Sequence, residues 1–398
     1  MGRLTTYQSF RSMPPVVLLL LGLLLGCKNP KIEEPSTNIT VRVASFNMSL
    51  ASNPYGKILR DLRNNEQRIR NLAEIVQEVR PDVLFVQELE YDSTNTRIEA
   101  FMHDFLEVGQ MGKEPIEFPF YHHFASNAGE LTGHDLDRDG STNGPYDAHG
   151  WGLFPNQFGL AIFSKYPIDL ESTRTFRKLL WKDFPNPHRP MDPKTGISFW
   201  TDEVWNSIRL SSKNHIDVPI YIDSDTLHIL GLHPQNGLGD GSELRNSLKN
   251  YDELGFFSYY LNGYPFKDDK GRLEKFNASQ PFVIVGDFNS NPVWNGSLSS
   301  FSSLQLLNHP KIHNEVAWGK WIPSSRYGRE LQKEEIRFAT RKKSNGILER
   351  IDYVLPSANL KVVGSGIYWP SSLELQSRLF DANGMGSDHR LVYVDIEL

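Results

Sequence analysis

The sequence predicts a mixed α/β (α+β) domain whose chemistry sits at strand ends, and three observations carry that expectation. Short apolar runs of strand length alternate with a stretch of helical period. Several runs stop on a polar side chain able to do chemistry (Asn47, Glu88, His233, and Asp287 with Asn289), and Asp352 opens another. The 398 residues, 23% charged and 12% aromatic with 30 Gly and 24 Pro, have the profile of a loop-rich globular chain.

The N-terminal segment stands apart. Arg3 and Arg11 precede a nearly all-apolar stretch from Val16 to Leu25, which ends in Leu24-Leu25-Gly26-Cys27. A basic start, a short apolar core and a small residue at the cleavage point is the layout of a secretory signal, here residues 1–27. The run is short for a membrane span. Its last four residues resemble a bacterial lipobox, which implies a secreted, cell-envelope protein held on a membrane by an N-terminal lipid on Cys27. Cys27 is the sole cysteine, which excludes an intrachain disulfide and a thiolate metal cluster. Residues 28–40, with their Pro, Lys, Glu and Asn, read as a tether, and 41–398 as the domain.

Val41 to Asn47 alternates and reads as the first strand. Ile69, Leu72, Ala73, Val76 and Val79 recur at three and four, and Pro81 stops them, so a helix runs to about Arg80. Val83 to Val86 is continuously apolar, as in a strand buried on both faces. Leu160–Phe163, Leu227–Leu232, Phe282–Val285, Tyr353–Leu355 and Leu391–Val394 complete the set. Two stretches, near 109–156 and 170–218, read as insertions that shape access to a site. The balance of 42 basic against 48 acidic residues excludes a protein that coats nucleic acid by charge alone, so any polyanion contact is local. No feature points to an obligate protein partner.

The strand-end residues suit metal-assisted attack on phosphate. A phosphodiester repels hydroxide, so its cleavage needs a cation on the phosphoryl oxygens and a positioned water. Glu88 is the best candidate ligand for a hard ion such as Mg²⁺ or Mn²⁺. Asp287 and Asn289, two apart, face one side of an extended backbone, so that Asp287 orients or deprotonates the water while the Asn289 amide holds a phosphate oxygen or the leaving group.

Phe46-Asn47, Gln87-Glu88, Leu232-His233, Gly286-Asp287-Phe288-Asn289, Arg350-Ile351-Asp352-Tyr353 and Ser387-Asp388-His389 resemble the ordered motifs of the endonuclease/exonuclease/phosphatase superfamily, from about Val41 to the C-terminus. That group includes deoxyribonuclease I, exonuclease III, neutral sphingomyelinases and inositol-polyphosphate 5-phosphatases. The resemblance implies a four-layer α/β/β/α sandwich of two packed mixed sheets. It also implies that Asn47 assists Glu88 at the metal and in binding substrate, that Asp352 fixes the tautomer of His389, that Asp388 approaches the metal, and that His233 protonates the leaving oxygen. Ser49 stands where exonuclease III-like enzymes carry an acid, which removes a ligand and disfavours abasic-site repair.

Two further stretches carry expectations. Asp135, Asp137 and Asp139 before Gly140 alternate like a calcium loop; the twelfth position is Tyr146, which excludes a full EF-hand, with Asp147 as a substitute for a structural Ca²⁺. Arg209 and Lys213, among serines, suit a second anionic group on the substrate. The expected function is a metal-dependent phosphohydrolase, phosphodiesterase or nuclease first. Its substrate would be nucleic acid, a phosphorylated small molecule or a phospholipid. The alternatives are a phosphomonoesterase on inositol or sugar phosphates, a sphingomyelinase-like lipid hydrolase using Trp181, Phe184, Phe199, Trp200 and Trp205 at a membrane, and an inactive surface binding protein.

Overall fold

A computed structural model describes residues 39–51, 53–292, 298–381 and 386–398. The signal-like segment, Cys27 and nearly all of the tether lie outside the described residues.

Eleven strands build two mixed sheets. In chain order they are β1 (Thr40–Leu50), β2 (Val83–Leu89), β3 (Phe120–Phe124), β4 (Gly159–Ser164), β5 (Arg174–Thr175), β6 (His215–Ile222), β7 (Asp225–Leu232), β8 (Phe282–Asp287), β9 (Asp352–Pro356), β10 (Lys361–Ile367) and β11 (Val392–Glu397). One sheet has the order β10-β11-β1-β2-β4-β3 and the other β9-β8-β7-β6-β5. Each contains a single parallel pair among its named strands, β1 with β2 and β7 with β8.

Side-chain alternation sorts each strand between two faces. Ala44, Phe46, Leu84, Val86, Ala161 and Phe163 pack on helix α1 (Gln67–Val79), through its Ile69, Leu72, Ala73 and Val76. Arg80 closes that helix in a left-handed conformation just before Pro81. The opposite residues Val43, Val83, Phe85 and Ile162 join the core of the second sheet. There the Phe85 ring lies so close to Gly231 that an added Cβ would meet it at 2.6 Å, so a glycine on β7 sets the spacing of the sheets. Leu254, Phe257 and Leu261 of helix α2 (Arg245–Leu261) belong to that same core. The result is the expected four-layer sandwich.

The two insertions contain sheet. Edge strand β3 lies in the first, and β5 with the start of β6 in the second. Pro219 masks β6 as a strand in the sequence. Its carbonyl accepts from the Asp169 N–H beyond the end of β5, so the N–H that proline lacks falls where the β5 ladder has stopped. Trp181, Phe184, Trp200 and Trp205 are buried in the core, and Phe199 lies under the Arg138 guanidinium, so these aromatics form no membrane-facing surface.

Candidate active site

Two parallel pairs bring the site together. β1 and β2 run side by side, so Asn47 and Glu88 emerge at one rim; β7 and β8 do the same for His233 and Asp287. β9 is antiparallel to β8 with Asp352 opposite Asp287, which places the first residue of β9 at that rim. His389 precedes β11 and bridges to Arg341. The ends are held in sparsely populated backbone: Ser49, Glu88 and Asn289 have φ of 53°, 61° and 49°. Gly286, at φ 151°, lies against β7 so tightly that a Cβ would come 2.0 Å from the Leu232 carbonyl oxygen.

Buried hydrogen bonds fix the constellation. The Asn47 amide Nδ2 donates to Glu88 Oε1 at 3.0 Å and to Asp287 Oδ2 at 3.1 Å. His233 Nε2 lies 3.4 Å from Asp287 Oδ2, and His389 Nε2 3.8 Å from the same oxygen. His389 Nδ1 meets Asp352 at 2.9 Å, and Ser387 ties the assembly to β1 by donating to the Asn47 carbonyl at 2.7 Å. Lys213 and Asn289 converge on the Pro234 carbonyl, at 3.3 and 3.1 Å. A cleft of about 110 Å³ opens over this group, lined by Glu88, Lys213, His233, Asp287, Asn289 and His389.

The electrostatics divide the two histidines. Burial opposes charge on His389, but the carboxylates of Asp352, Asp287 and Asp388 outweigh it and hold the imidazole above its ordinary value. Burial and the nearby Lys213 ammonium hold His233 below its ordinary value, against the pull of Asp287. Its Nδ1 is buried without a hydrogen-bond partner among the described residues, whereas the His389 tautomer is fixed by Asp352. Burial lowers Lys213, with Glu253, Glu88 and Asp287 working against it.

Ligand atoms of Asp287, Asp352 and His389 lie within 4.8 Å of one another, but this trio is buried and shares its own proton contacts. Glu88 is the more open carboxylate, its side chain 22% exposed, and among the described residues it is paired through the Asn47 amide and a distant His233. Oxygen donors on this rim therefore fit a hard divalent ion.

Three of the expected residues are held by partners the sequence did not show. Asn47 faces two carboxylates, which demand a donor, and joins Glu88 to Asp287, while its Oδ1 accepts from the Ser49 N–H at 3.1 Å. Asp388 is paired with Arg341, whose Nε donates to its Oδ2 at 2.7 Å, while its Oδ1 lies 3.8 Å from His389 Nε2. Arg209 bonds Asn127 at 2.6 Å and Glu130 at 2.8 Å and is not among the cleft-lining residues, unlike Lys213. The Asp135, Asp137 and Asp139 carboxylates do cluster within 4.8 Å, while Asp147 is committed to the Leu136 and Gly144 N–H groups at 2.8 Å. Trp151, Phe158, Gln235, Asn236 and Arg341 also line the cleft without having been singled out. Trp151 and Phe158 stand within or just after the first insertion, where aromatic content was the available signal.

The endonuclease/exonuclease/phosphatase family model matches residues 44–389. No curated protein matches the chain significantly. Among solved structures, an endonuclease/exonuclease/phosphatase from Beutenbergia cavernae aligns with a TM-score of 0.50 at 13% identity, over 90% of this chain and 72% of that one. Truncated Caenorhabditis elegans TDP2 aligns at 0.46 and 15% identity, over 90% of this chain and 98% of that one. Staphylococcus aureus beta toxin aligns at 0.45 and 13%, over 89% and 99%. With its motifs in order on one rim and the family model running from β1 to His389, the chain belongs to the endonuclease/exonuclease/phosphatase family.

Proposed function

We propose that this protein is a metal-dependent hydrolase of phosphate esters, phosphodiesters first, secreted and anchored through a lipid on Cys27. The observation that carries the catalytic reading is the convergence of Glu88, Asp287, His233 and His389 with the buried Lys213 in one cleft. A divalent ion such as Mg²⁺ or Mn²⁺ on Glu88 would supply charge neutralisation at the phosphoryl oxygens. The Lys213 ammonium and the Asn289 amide bind phosphate oxygens; both now rest on one carbonyl that a substrate oxygen replaces. Asp287 orients a water and accepts its proton, while His389, held charged by Asp352, faces the phosphoryl oxygens. His233, 3.4 Å from Asp287 Oδ2, relays that proton to the departing oxygen. A structural Ca²⁺ on Asp135, Asp137 and Asp139 is a separate reading.

Protein lacking residues 1–27 is assayed on bis-p-nitrophenyl phosphate, p-nitrophenyl phosphate, plasmid DNA and sphingomyelin, with Mg²⁺ or EDTA. Metal-dependent turnover, reduced at least about a hundredfold in Glu88→Ala and His389→Ala, is expected. Absence of turnover on all four, or unchanged variants, would leave the inactive binding protein as the answer. The anchor rests on the sequence around Cys27. Palmitate labelling of the expressed chain, lost in Cys27→Ser, is the expected result; equal labelling defeats it.

A further inference from the structure

The side of the cleft formed by the first insertion is aromatic, and the hydrophobic core does not account for it. Trp151 and Phe158 are half-buried, and neither belongs to either core cluster. Their rings stack, with centroids 5.9 Å apart and planes 25° from parallel, and Tyr146 sets its edge on Trp151 at 6.4 Å. The wall is held firmly. Gly150 pairs with Ala128 and lies where a Cβ would strike the Ser212 carbonyl at 1.8 Å; Lys249 donates to the His149 carbonyl from below. Beside the wall, Gln235 lines the same cleft, 4% exposed, and its Oε1 has no hydrogen-bond partner among the described residues. A buried acceptor left unpaired is costly, so it fits a donor brought by a ligand.

We infer that Trp151 and Phe158 form a stacking platform for a flat, N–H-bearing aromatic ring on the leaving group of the substrate, a nucleoside-type phosphoester. This rests on the phosphohydrolase reading above and names its substrate class. Gln235 and Asn236 lie two and three residues after His233, the group assigned to the leaving oxygen, and line the same cleft, so the ring belongs to the departing alcohol. A base has both a face for the platform and N–H donors for Gln235. An acyl chain or a choline headgroup has neither. Lys213, on the same cleft, takes the phosphate.

The test is calorimetric binding of AMP, ribose 5-phosphate, phosphorylcholine and inorganic phosphate to the full chain in detergent with Mg²⁺. AMP is expected to bind at least about tenfold tighter than ribose 5-phosphate, because stacking on an aromatic side chain is sequence-tolerant and strong. Trp151→Ala brings the two ligands to within about twofold of each other, and Trp151→Phe retains most of the difference, which also guards against loss of fold. Equal affinities in the wild type, equal weakening of both ligands in Trp151→Ala, or preference for phosphorylcholine would overturn the platform. If inorganic phosphate binds and esters are hydrolysed without a preference for AMP, only the platform falls. If phosphate does not bind and no ester is hydrolysed, the phosphohydrolase reading falls with it.

Discussion

Gly286 holds the two halves of the site in register. It lies on β8 one residue before Asp287 and faces the Leu232 carbonyl, one residue before His233, at a distance that leaves no room for a Cβ. Its φ of 151° is also one that side-chain-bearing residues avoid. Gly286→Ala is therefore expected to lower stability by about 3 kcal/mol and to spread the His233–Asp287 contact, so that kcat falls more than KM rises. Urea unfolding beside steady-state kinetics reads both; a stable variant with wild-type kcat would contradict the close approach. Much of this constellation was legible residue by residue, because Asn47, Glu88, His233, Asp287 and Asp352 each sit in a short motif at a strand end. The remaining partners were set by the tertiary fold. Asp388 is bound by Arg341, 47 residues away, and Arg209 by Glu130; no local pattern announces either pairing.

At the scale of elements, apolar strands showed themselves and interrupted ones did not. β1, β2, β4, β7 and β8 are buried runs, whereas β6 contains Pro219 and β10 contains Gly364 and Gly366. The edge strand β3 carries His122 and His123 where an apolar pattern is expected. Two of these overlooked strands bury a neutral histidine. Burial holds His123 of β3 at about 4, despite its bond to the Leu89 carbonyl, and His215 of β6 at about 4, despite its bond to the Glu253 carbonyl. Unfolded, both titrate near their ordinary value of about 6.5. Between those values the unfolded chain binds more protons than the native one, so stability is full above pH 6.5 and is lost as pH falls toward 4. The loss is on the order of 2 kcal/mol for each histidine by about pH 4.5. Urea unfolding of wild type and His215→Gln across that window checks it. The variant's stability should fall less steeply with acid, and parallel curves would remove His215 from the account.

For the molecule as a whole, alternating strands and helices in sequence do not say which faces meet. The order of layers depends on long-range contacts such as Phe85 on Gly231, and so it was the family resemblance, rather than periodicity, that carried the sandwich. The same scale separates the two places where a cation was expected. In the cleft, Glu88 and Asp287 are joined by one amide, inside a chain of net charge −6. On the Asp135 loop the carboxylates already accept backbone N–H groups of Asp139, Gly140 and Ser141. An ion that binds only the native chain stabilises it by RT ln(1 + [L]/Kd), about 2.7 kcal/mol at a hundredfold excess over Kd. Mg²⁺ is accordingly expected to raise the thermal midpoint by a few °C, reversibly with EDTA. The rise should disappear in Glu88→Ala and persist in Asp137→Asn. The opposite pattern would move the principal ion from the cleft to the loop, and with it the charge that the proposed phosphate-ester chemistry at this rim requires.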